Sequence, residues 1–315
     1  MRTVFFGTPA IAVPALEALA GCSDVCGVVC QPDRPKGRGM KLSSPEVKQV
    51  AERLGLPVYQ PLKVRTGELE SWLSALHADV AVVLAYGRIL PVEVLNAPKR
   101  GCMNLHASLL PHYRGAAPIN WALINGESET GMSLMQMDVG LDTGPVYTMR
   151  KLPITASTDA DSLSEQMAAL AALIVKEDLP RAVRCELTAT PQDEAHATFA
   201  PPLKAEHLAL RCAQPARQVV NQIRGLSSKP GARAAVSGKL LKILRAEVAE
   251  EQSSGEAGRV VLADKNGILV QANPGSFKIL FAQPEGKKVM PAADLVNGRL
   301  ISAGQLIEPW QSTAP

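Results

Sequence analysis

The chain has 315 residues, 46% of them hydrophobic and 20% charged, so it is long enough for two domains with packed cores. Aromatic residues make up only 4%, which argues against broad base-stacking platforms. The sequence contains no apolar span of about eighteen residues and no apolar leader segment, so we expect a cytoplasmic protein with no membrane contact.

Charge is divided unevenly along the chain. Residues 207–315 carry 14 Lys plus Arg against 8 Asp plus Glu, a net charge of +6, whereas residues 1–206 have a net charge of −3. A basic second half suits a polyanionic partner, although a solvated basic surface is equally compatible with charge alone.

The first part of the chain alternates strand and helix patterns. An apolar strand at residues 3–6 leads through the turn Gly7-Thr8-Pro9 into a helix at 11–19. Helices at 45–54 and 68–76 alternate with strands at 58–60 and 80–85. This order predicts an α/β domain with a parallel sheet. The G-x-G-x-x-G fingerprint is missing after the first strand, so the fold can be Rossmann-like without a nicotinamide cofactor.

The six cysteines are scattered, and only Cys22, Cys26 and Cys30 lie near one another. Because the stretch 25–30 has the pattern of a strand, these three side chains share no ligand face. We therefore expect no metal site and reduced, buried thiols.

Basic residues, prolines and glycines are concentrated in residues 31–42, Q-P-D-R-P-K-G-R-G-M-K-L. This composition is incompatible with a helix or the interior of a sheet. It predicts an exposed, mobile and positively charged loop, for which an ordinary solvated loop is the alternative.

The most informative stretch is N-L-H-A-S-L-L-P-H-Y-R-G, which begins at Asn104 and follows an apolar run. Asp142 lies downstream in the glycine-containing segment D-V-G-L-D-T-G. Taken singly, Asn104, His106 and Asp142 suit a turn residue, a core histidine and a loop cap. Placed together at strand ends, where open α/β sheets bind ligands, they supply an oxyanion donor, a proton acceptor and a group that tunes it. That set favours acyl transfer.

The second half has a different pattern. Residues 188–204 are polar and marked by prolines, which predicts a linker. A helix around 216–223 precedes short strands with glycine turns, which predict a small barrel; the strands are at 239–244, 258–262, 267–272 and 277–281. We place the domains at 1–188 and 207–315, joined by a linker at 189–206.

The pattern N-x-H-x-S-L-L-P-x-Y-R-G followed by M-D-x-G-L-D-T-G resembles the tetrahydrofolate-dependent formyltransferase family, most closely its branch acting on methionyl-tRNA. The loop at 31–42 and the segment P-E-G-K-K-V-M from Pro284 resemble elements of the same branch. The resemblance implies an α/β, Rossmann-like formyltransferase domain followed by a smaller OB-like β-barrel domain. It also implies transfer of the formyl group of 10-formyltetrahydrofolate to the α-amino group of methionyl-initiator tRNA, by a monomer that needs no metal.

The resemblance also assigns residues to roles. Asn104 would donate to the oxyanion, His106 would accept the amine proton, and Asp142 would hold a water molecule and polarise the imidazole. The implied folate-binding residues are Arg88, Ile89, Leu90, Ser108, Leu109, Leu110 and Pro111. The implied tRNA-binding residues are Arg34, Lys36, Arg38, Lys41, Lys287 and Lys288, of which Arg38 matters most.

The second half departs from the family in places. Where relatives commonly have N-P-W-P or S-P-W-P, residues 227–230 are S-S-K-P.

Two other classes of function remain open. A sugar or glycinamide formyltransferase would keep the three catalytic residues but gives no reason for the basic loop. A non-catalytic RNA-binding protein would explain the charge and leave those three residues idle.

Overall fold

The computed structural model describes residues 1–36 and 41–310, which form two compact units. The first unit comprises Met1–Pro118, Glu129–Pro153 and Ser164–Pro201. The second comprises Ile119–Ser128, Ile154–Leu163 and Pro202–Pro315. The domain bounds of 1–188, 189–206 and 207–315 stay predictions.

The first unit is built on a largely parallel seven-stranded sheet, with strand order β10-β9-β7-β6-β1-β2-β5. The strands of the unit are β1 (Arg2–Gly7), β2 (Asp24–Val29), β3 (Arg34–Lys36), β4 (Lys41–Ser43), β5 (Val58–Tyr59), β6 (Val80–Leu84), β7 (Cys102–His106), β8 (Arg114–Gly115), β9 (Glu129–Gln136), β10 (Val146–Pro153) and β11 (Phe199–Ala200). Only β9 runs against the other strands of the large sheet, because it pairs antiparallel with β7 on one side and with β10 on the other. The order of the parallel strands reverses between β1 and β6, which is the Rossmann-like arrangement predicted.

Helices α1 to α4 connect successive parallel strands, and further helices follow along the chain. They are α1 (Val13–Cys22), α2 (Glu46–Arg53), α3 (Glu68–Leu76), α4 (Val92–Asn96), α5 (Pro118–Ile124), α6 (Ala160–Glu177) and α7 (Leu179–Val183), with short 3₁₀ turns at Ala10–Ala12 and Glu194–His196. Every residue of β6 and β7 is buried, as expected for strands covered on both faces. The ends of these strands are therefore held rigidly, and the candidate site lies there.

The region predicted as a loop at 31–42 contains a short strand pair that the sequence did not reveal, although neither strand lies in the interior of a sheet. β3 and β4 pair antiparallel, with Pro35 opposite Leu42. The pair forms a separate two-stranded sheet, in which both strands are edges. Proline is tolerated on an edge strand, because its missing N–H can face away from the partner.

The second unit contains an antiparallel sheet with strand order β14-β15-β16-β13-β12-β18. Its strands are β12 (Ala232–Val236), β13 (Lys239–Glu250), β14 (Val260–Asp264), β15 (Gly267–Gln271), β16 (Ser276–Pro284), β17 (Met290–Pro291) and β18 (Ile307–Pro309), and its helices are α8 (Ala205–Leu208), α9 (Ala216–Leu226) and α10 (Ala292–Asn297). The two edges of the sheet meet, because Ile307 N donates to Gly258 O at 2.8 Å and Val260 N donates to Gln305 O at 2.9 Å. The predicted small OB-like barrel is thereby confirmed.

The cysteines match the prediction only in part. Cys26, Cys30, Cys102 and Cys212 are buried, whereas Cys22 and Cys185 are exposed. Burial raises the pKa of the Cys30 thiol to about 11 and the pKa values of the Cys102 and Cys212 thiols to about 12. The expectation of burial was wrong for Cys22, which ends α1, and for Cys185, which follows α7.

Candidate active site

Asn104 and His106 lie on the same face of β7, because alternate residues of a strand point to the same side. Asn104 is in register with Val83 of β6 and with Met135 of β9, so it is flanked by strands on both sides. Both polar side chains are buried, at 9% and 5% exposure. The strand thus presents an amide and an imidazole from a fixed backbone.

Asp142 joins them from the loop between β9 and β10. Its Oδ1 accepts a long hydrogen bond of 3.4 Å from Asn104 Nδ2, and its Oδ2 lies 3.6 Å from His106 Nδ1. Oδ2 also accepts a hydrogen bond of 2.9 Å from the backbone N–H of Gly115. The structure therefore brings together the three residues that the sequence singles out.

The hydrogen bonds of His106 determine which ring nitrogen is free. His106 Nε2 lies 2.9 Å from the carbonyl oxygen of Tyr113, and a carbonyl can only accept. In a neutral imidazole the proton is therefore on Nε2, and Nδ1 keeps its lone pair. The 3.6 Å between Nδ1 and Asp142 exceeds a hydrogen-bond distance, so Nδ1 can accept a proton from a third group.

The turn after β7 is held by a serine of the neighbouring strand. Ser133 Oγ donates to the Ser108 carbonyl at 2.7 Å and accepts from the N–H of Leu110 at 3.1 Å. Ser108 Oγ in turn donates to the His112 carbonyl at 2.5 Å. Ser108 and Leu110 are buried, while Leu109 and Pro111 are half-buried. These four proposed folate residues therefore form an ordered turn beside His106. Ser133 was not predictable from the sequence, where its surroundings show only a strand pattern.

The other proposed folate segment follows β6. Leu90 is buried, whereas Ile89 is 68% exposed. The Arg88 guanidinium donates to the carbonyls of Pro61 and Leu62, at 3.1 and 2.8 Å. Because β1 and β6 are neighbours, this segment lies at the point where strand order reverses, which is where ligands bind in open α/β sheets.

The proposed tRNA residues of the first unit lie on β3 and β4 or between them. Arg34 is exposed and donates to Gln31 Oε1 at 2.6 Å. Only the backbone positions of Lys36 and Lys41 are described, and Arg38 lies outside the described residues. In the second unit Lys287 and Lys288, which follow β16, are both exposed.

The base of this strand pair is tied to the first unit by Asp33. Its carboxylate accepts from Lys48 Nζ and from Gln60 Nε2, both at 2.8 Å. These hydrogen bonds hold the pKa of the Asp33 carboxyl below its usual value. The residue that precedes β3 is therefore held in place by Lys48 and Gln60.

Arg114, the arginine of the Y-R-G segment, is a buried cation beside the site, and its partners were not predictable from the sequence. The side chain of Arg114 is 2% exposed, and its NH2 group donates to Glu194 Oε1 at 2.7 Å. Gln192 Oε1 accepts from Arg114 Nε and NH2, at 3.0 and 2.8 Å. No motif marks Gln192 or Glu194, which lie about eighty residues beyond Arg114 in the chain.

Two kinds of site are not found in the described part of the chain. Among residues 1–36 and 41–310, no group of three or more His, Cys, Asp or Glu side chains is arranged to hold a metal ion. Within the same residues, no helix has the length and apolar character needed to cross a membrane.

A family model described as formyl transferase matches residues 1–178, and one described as formyl transferase, C-terminal domain, matches residues 202–300. The chain belongs to the formyl transferase family. The resemblance drawn from the sequence is thus confirmed.

Relatives within the formyl transferase family match almost the whole chain. The methionyl-tRNA formyltransferase of Sorangium cellulosum is 56% identical over 309 residues, covering 98% of this chain and 99% of its own. That of Trichlorobacter lovleyi is 44% identical, covering 99% of both chains. The solved N-formyltransferase of Helicobacter canadensis, in complex with folinic acid and dTDP-3-aminofucose, has a TM-score of 0.70 at 18% identity, covering 90% of this chain and 99% of its own. At that identity the last likeness supports the fold alone.

Proposed function

We propose that this formyl transferase moves the formyl group of 10-formyltetrahydrofolate to the α-amino group of methionyl-initiator tRNA, producing N-formylmethionyl-tRNA for translation initiation. The observation that carries the proposal is the 56% identity to a methionyl-tRNA formyltransferase over 98% of the chain. The converging side chains of Asn104, His106 and Asp142 support the chemistry. We further propose that the protein acts as a cytoplasmic monomer.

The catalytic roles follow from the hydrogen-bonding capacity of each group. The amine nitrogen attacks the formyl carbon, and His106 Nδ1 takes the amine proton directly or through water. Asn104 Nδ2 donates to the oxyanion, for which it is available because its bond to Asp142 is long. The bond from the formyl carbon to the folate nitrogen then breaks, and the proton passes to that leaving nitrogen.

The proposed folate site uses the segments after β6 and β7. Ile89 offers an exposed apolar side chain against which a flat heterocycle can lie. The backbone of Arg88, Ile89 and Leu90 is proposed to pair with the polar edge of that ring. The turn formed by Ser108, Leu109, Leu110 and Pro111 places the same ligand beside His106. Arg88 itself is occupied by two carbonyls, so its proposed role is to shape this segment.

The proposed tRNA contacts are basic side chains. Arg34, Lys36, Arg38 and Lys41 belong to the β3–β4 region, and Lys287 and Lys288 to the barrel. Sugar and glycinamide formyl transfer give no reason for these charges, which favours an RNA acceptor.

The test is an assay of tetrahydrofolate release from 10-formyltetrahydrofolate with different acceptors. We expect release with methionyl-initiator tRNA and little with glycinamide or an amino sugar. Asn104→Ala, His106→Ala and Asp142→Ala should each lower kcat about a hundredfold or more while folate binding persists. Release with glycinamide or an amino sugar, without release with methionyl-initiator tRNA, would assign the chain to another branch. Binding of tRNA without any release would point to a non-catalytic RNA-binding protein.

A further inference from the structure

Residues 190–200 run alongside the loops that carry the candidate catalytic groups. Thr190 and Val146 exchange two backbone hydrogen bonds, of 2.8 and 2.9 Å. At the other end of the segment, β11 pairs in parallel with β8, which includes Gly115. The segment predicted as a linker is therefore fixed at both ends beside the Asp142 loop and the turn that follows His106.

Gln192 lies two residues beyond Thr190 in this segment, and every donor and acceptor of its side-chain amide is used. Nε2 donates to the carbonyls of Asp142 and Gly144, at 2.8 and 2.7 Å. Oε1 accepts both hydrogen bonds from the Arg114 guanidinium, at 3.0 and 2.8 Å. Because a guanidinium only donates and a carbonyl only accepts, the amide can sit in only one orientation.

The Asp142 loop needs such support. Asp142 has a φ of 54°, in the left-handed region, which costs free energy for residues other than glycine even though aspartate adopts it more readily than most. Its neighbours give little packing, since Val139 is 76% exposed and Leu141 is 55% exposed. The position of the carboxylate therefore depends on hydrogen bonds. At residues 142–144, those of 2.9 Å or less from outside the loop come from the Gly115 N–H to Oδ2 and from Gln192 to the backbone on either side of Thr143.

We propose that Gln192 is a positioning residue for the reaction, which holds Asp142 at the distance from His106 and Asn104 that catalysis needs. Arg114 fixes Gln192 from the opposite side, and Glu194 holds Arg114. Gln192 acts through Asp142 and touches no reacting atom. This inference rests on the proposed function, since formyl transfer is the reaction that Asp142 would serve.

The discriminating variant is Gln192→Glu. It keeps the shape of the side chain and an acceptor for Arg114, but it places a carboxylate oxygen against the carbonyls of Asp142 and Gly144. Gln166→Glu, at an exposed position of α6, is the matched control. We expect Gln192→Glu to lower kcat about tenfold or more while KM for 10-formyltetrahydrofolate stays within about twofold. The control should match the wild type in both constants.

A second measurement needs no substrate. Amide hydrogen exchange across residues 139–144 should be faster in Gln192→Glu than in the wild type, with exchange in β6 and β7 unchanged. Gln192→Met, which removes both donor and acceptor, should give the same pattern if Gln192→Glu does not fold.

The possible outcomes distinguish a failure of the positioning role of Gln192 from a failure of the proposed function. Wild-type kcat together with unchanged exchange in the Gln192 variants would overturn the positioning role. A fall in kcat together with a rise in KM and a fall in the melting temperature would also overturn it, because that pattern would assign Gln192 a general structural role. If the wild-type protein releases no tetrahydrofolate with methionyl-tRNA, the proposed function fails, and the exchange measurement still decides whether Gln192 holds the loop.

Discussion

Among the single residues, Arg114 carries a buried charge, whereas its ionic partner Glu194 lies at the surface. The Glu194 side chain is 70% exposed, against 2% for Arg114. A buried guanidinium left without partners would be destabilising, so Gln192 and Glu194 together satisfy it. The Arg114 guanidinium, by hydrogen bonding first and by its charge second, lowers the pKa of the Glu194 carboxyl.

This pairing predicts how stability depends on pH. A carboxyl whose pKa is depressed in the folded state stabilises the protein above its unfolded pKa and loses that contribution as pH falls through the folded pKa. The wild type should therefore lose melting temperature more steeply than Glu194→Gln between about pH 5 and pH 3. Thermal unfolding followed by circular dichroism at each pH measures the difference.

The control for this experiment is Glu165→Gln, an exposed glutamate of α6. Its melting temperature should follow the wild-type slope. If the melting temperatures of Glu194→Gln and the wild type fall with equal slopes down to pH 3, the pair of Arg114 and Glu194 contributes no stability that depends on protonation.

The residues of the site differ in whether the sequence alone predicts them. Asn104, His106 and Asp142 were predictable because an amide, an imidazole and a carboxylate next to buried strands form a chemical pattern. Gln192 was not predictable, since it lies in a polar stretch without a motif and meets Arg114 across 78 positions of sequence. Nothing in local composition encodes a hydrogen bond that depends on the path of the chain.

At the scale of elements, apolar runs predicted the strands and helices well where packing decides them. Helix α3 covers the residues predicted for it, and β6 differs from prediction by one residue. Strand β13 is twice as long as predicted, because its second half alternates between half-buried and exposed residues and lacks an apolar signal. The pairing of β3 with β4 was missed because glycine and proline masked it.

The β3–β4 pair suggests a prediction that separates placement of the tRNA from simple attraction. If Arg38 places the acceptor end beside His106, Arg38→Ala should depress kcat/KM far more than Lys41→Ala, because a small misplacement of the amine is costly. If the region only attracts phosphates, both variants should weaken tRNA binding alike. Steady-state kinetics with methionyl-tRNA compare the two.

A small acceptor such as a methionine ester is the control for this comparison, since any weak activity on it should be insensitive to both substitutions. Equal losses for Arg38→Ala and Lys41→Ala would remove the placement role. A loss on the small acceptor would mean that Arg38 acts on the chemical step.

For the molecule as a whole, the sequence predicted both architectures, including the small barrel, and the division of charge, but not which residues close the barrel. Closure depends on hydrogen bonds between residues 258–260 and 305–307, which are distant in sequence and carry no shared pattern. Gly258 marks the contact, because a Cβ there would lie 2.3 Å from the Ile307 carbonyl oxygen. That requirement becomes visible only in the folded chain.

The basic second half provides the last prediction. If Lys287 and Lys288 contact phosphates, each alanine substitution should reduce the slope of log Kd against log salt by about one unit. Binding should weaken by a similar factor for initiator and elongator tRNA, because phosphate contacts carry no sequence information. The turnover number at saturating tRNA should stay at the wild-type value, since neither residue belongs to the proposed catalytic set.

Lys265→Ala is the matched control, because Lys265 is an exposed lysine in the turn between β14 and β15 of the same barrel. A localised contact at Lys287 and Lys288 requires that Lys265→Ala leave the salt slope close to the wild-type value. If all three substitutions reduce the slope equally, the net positive charge of residues 207–315 attracts the tRNA without a defined contact. In that case the segment that begins at Pro284 resembles its counterpart in the family in sequence but does not contact the tRNA.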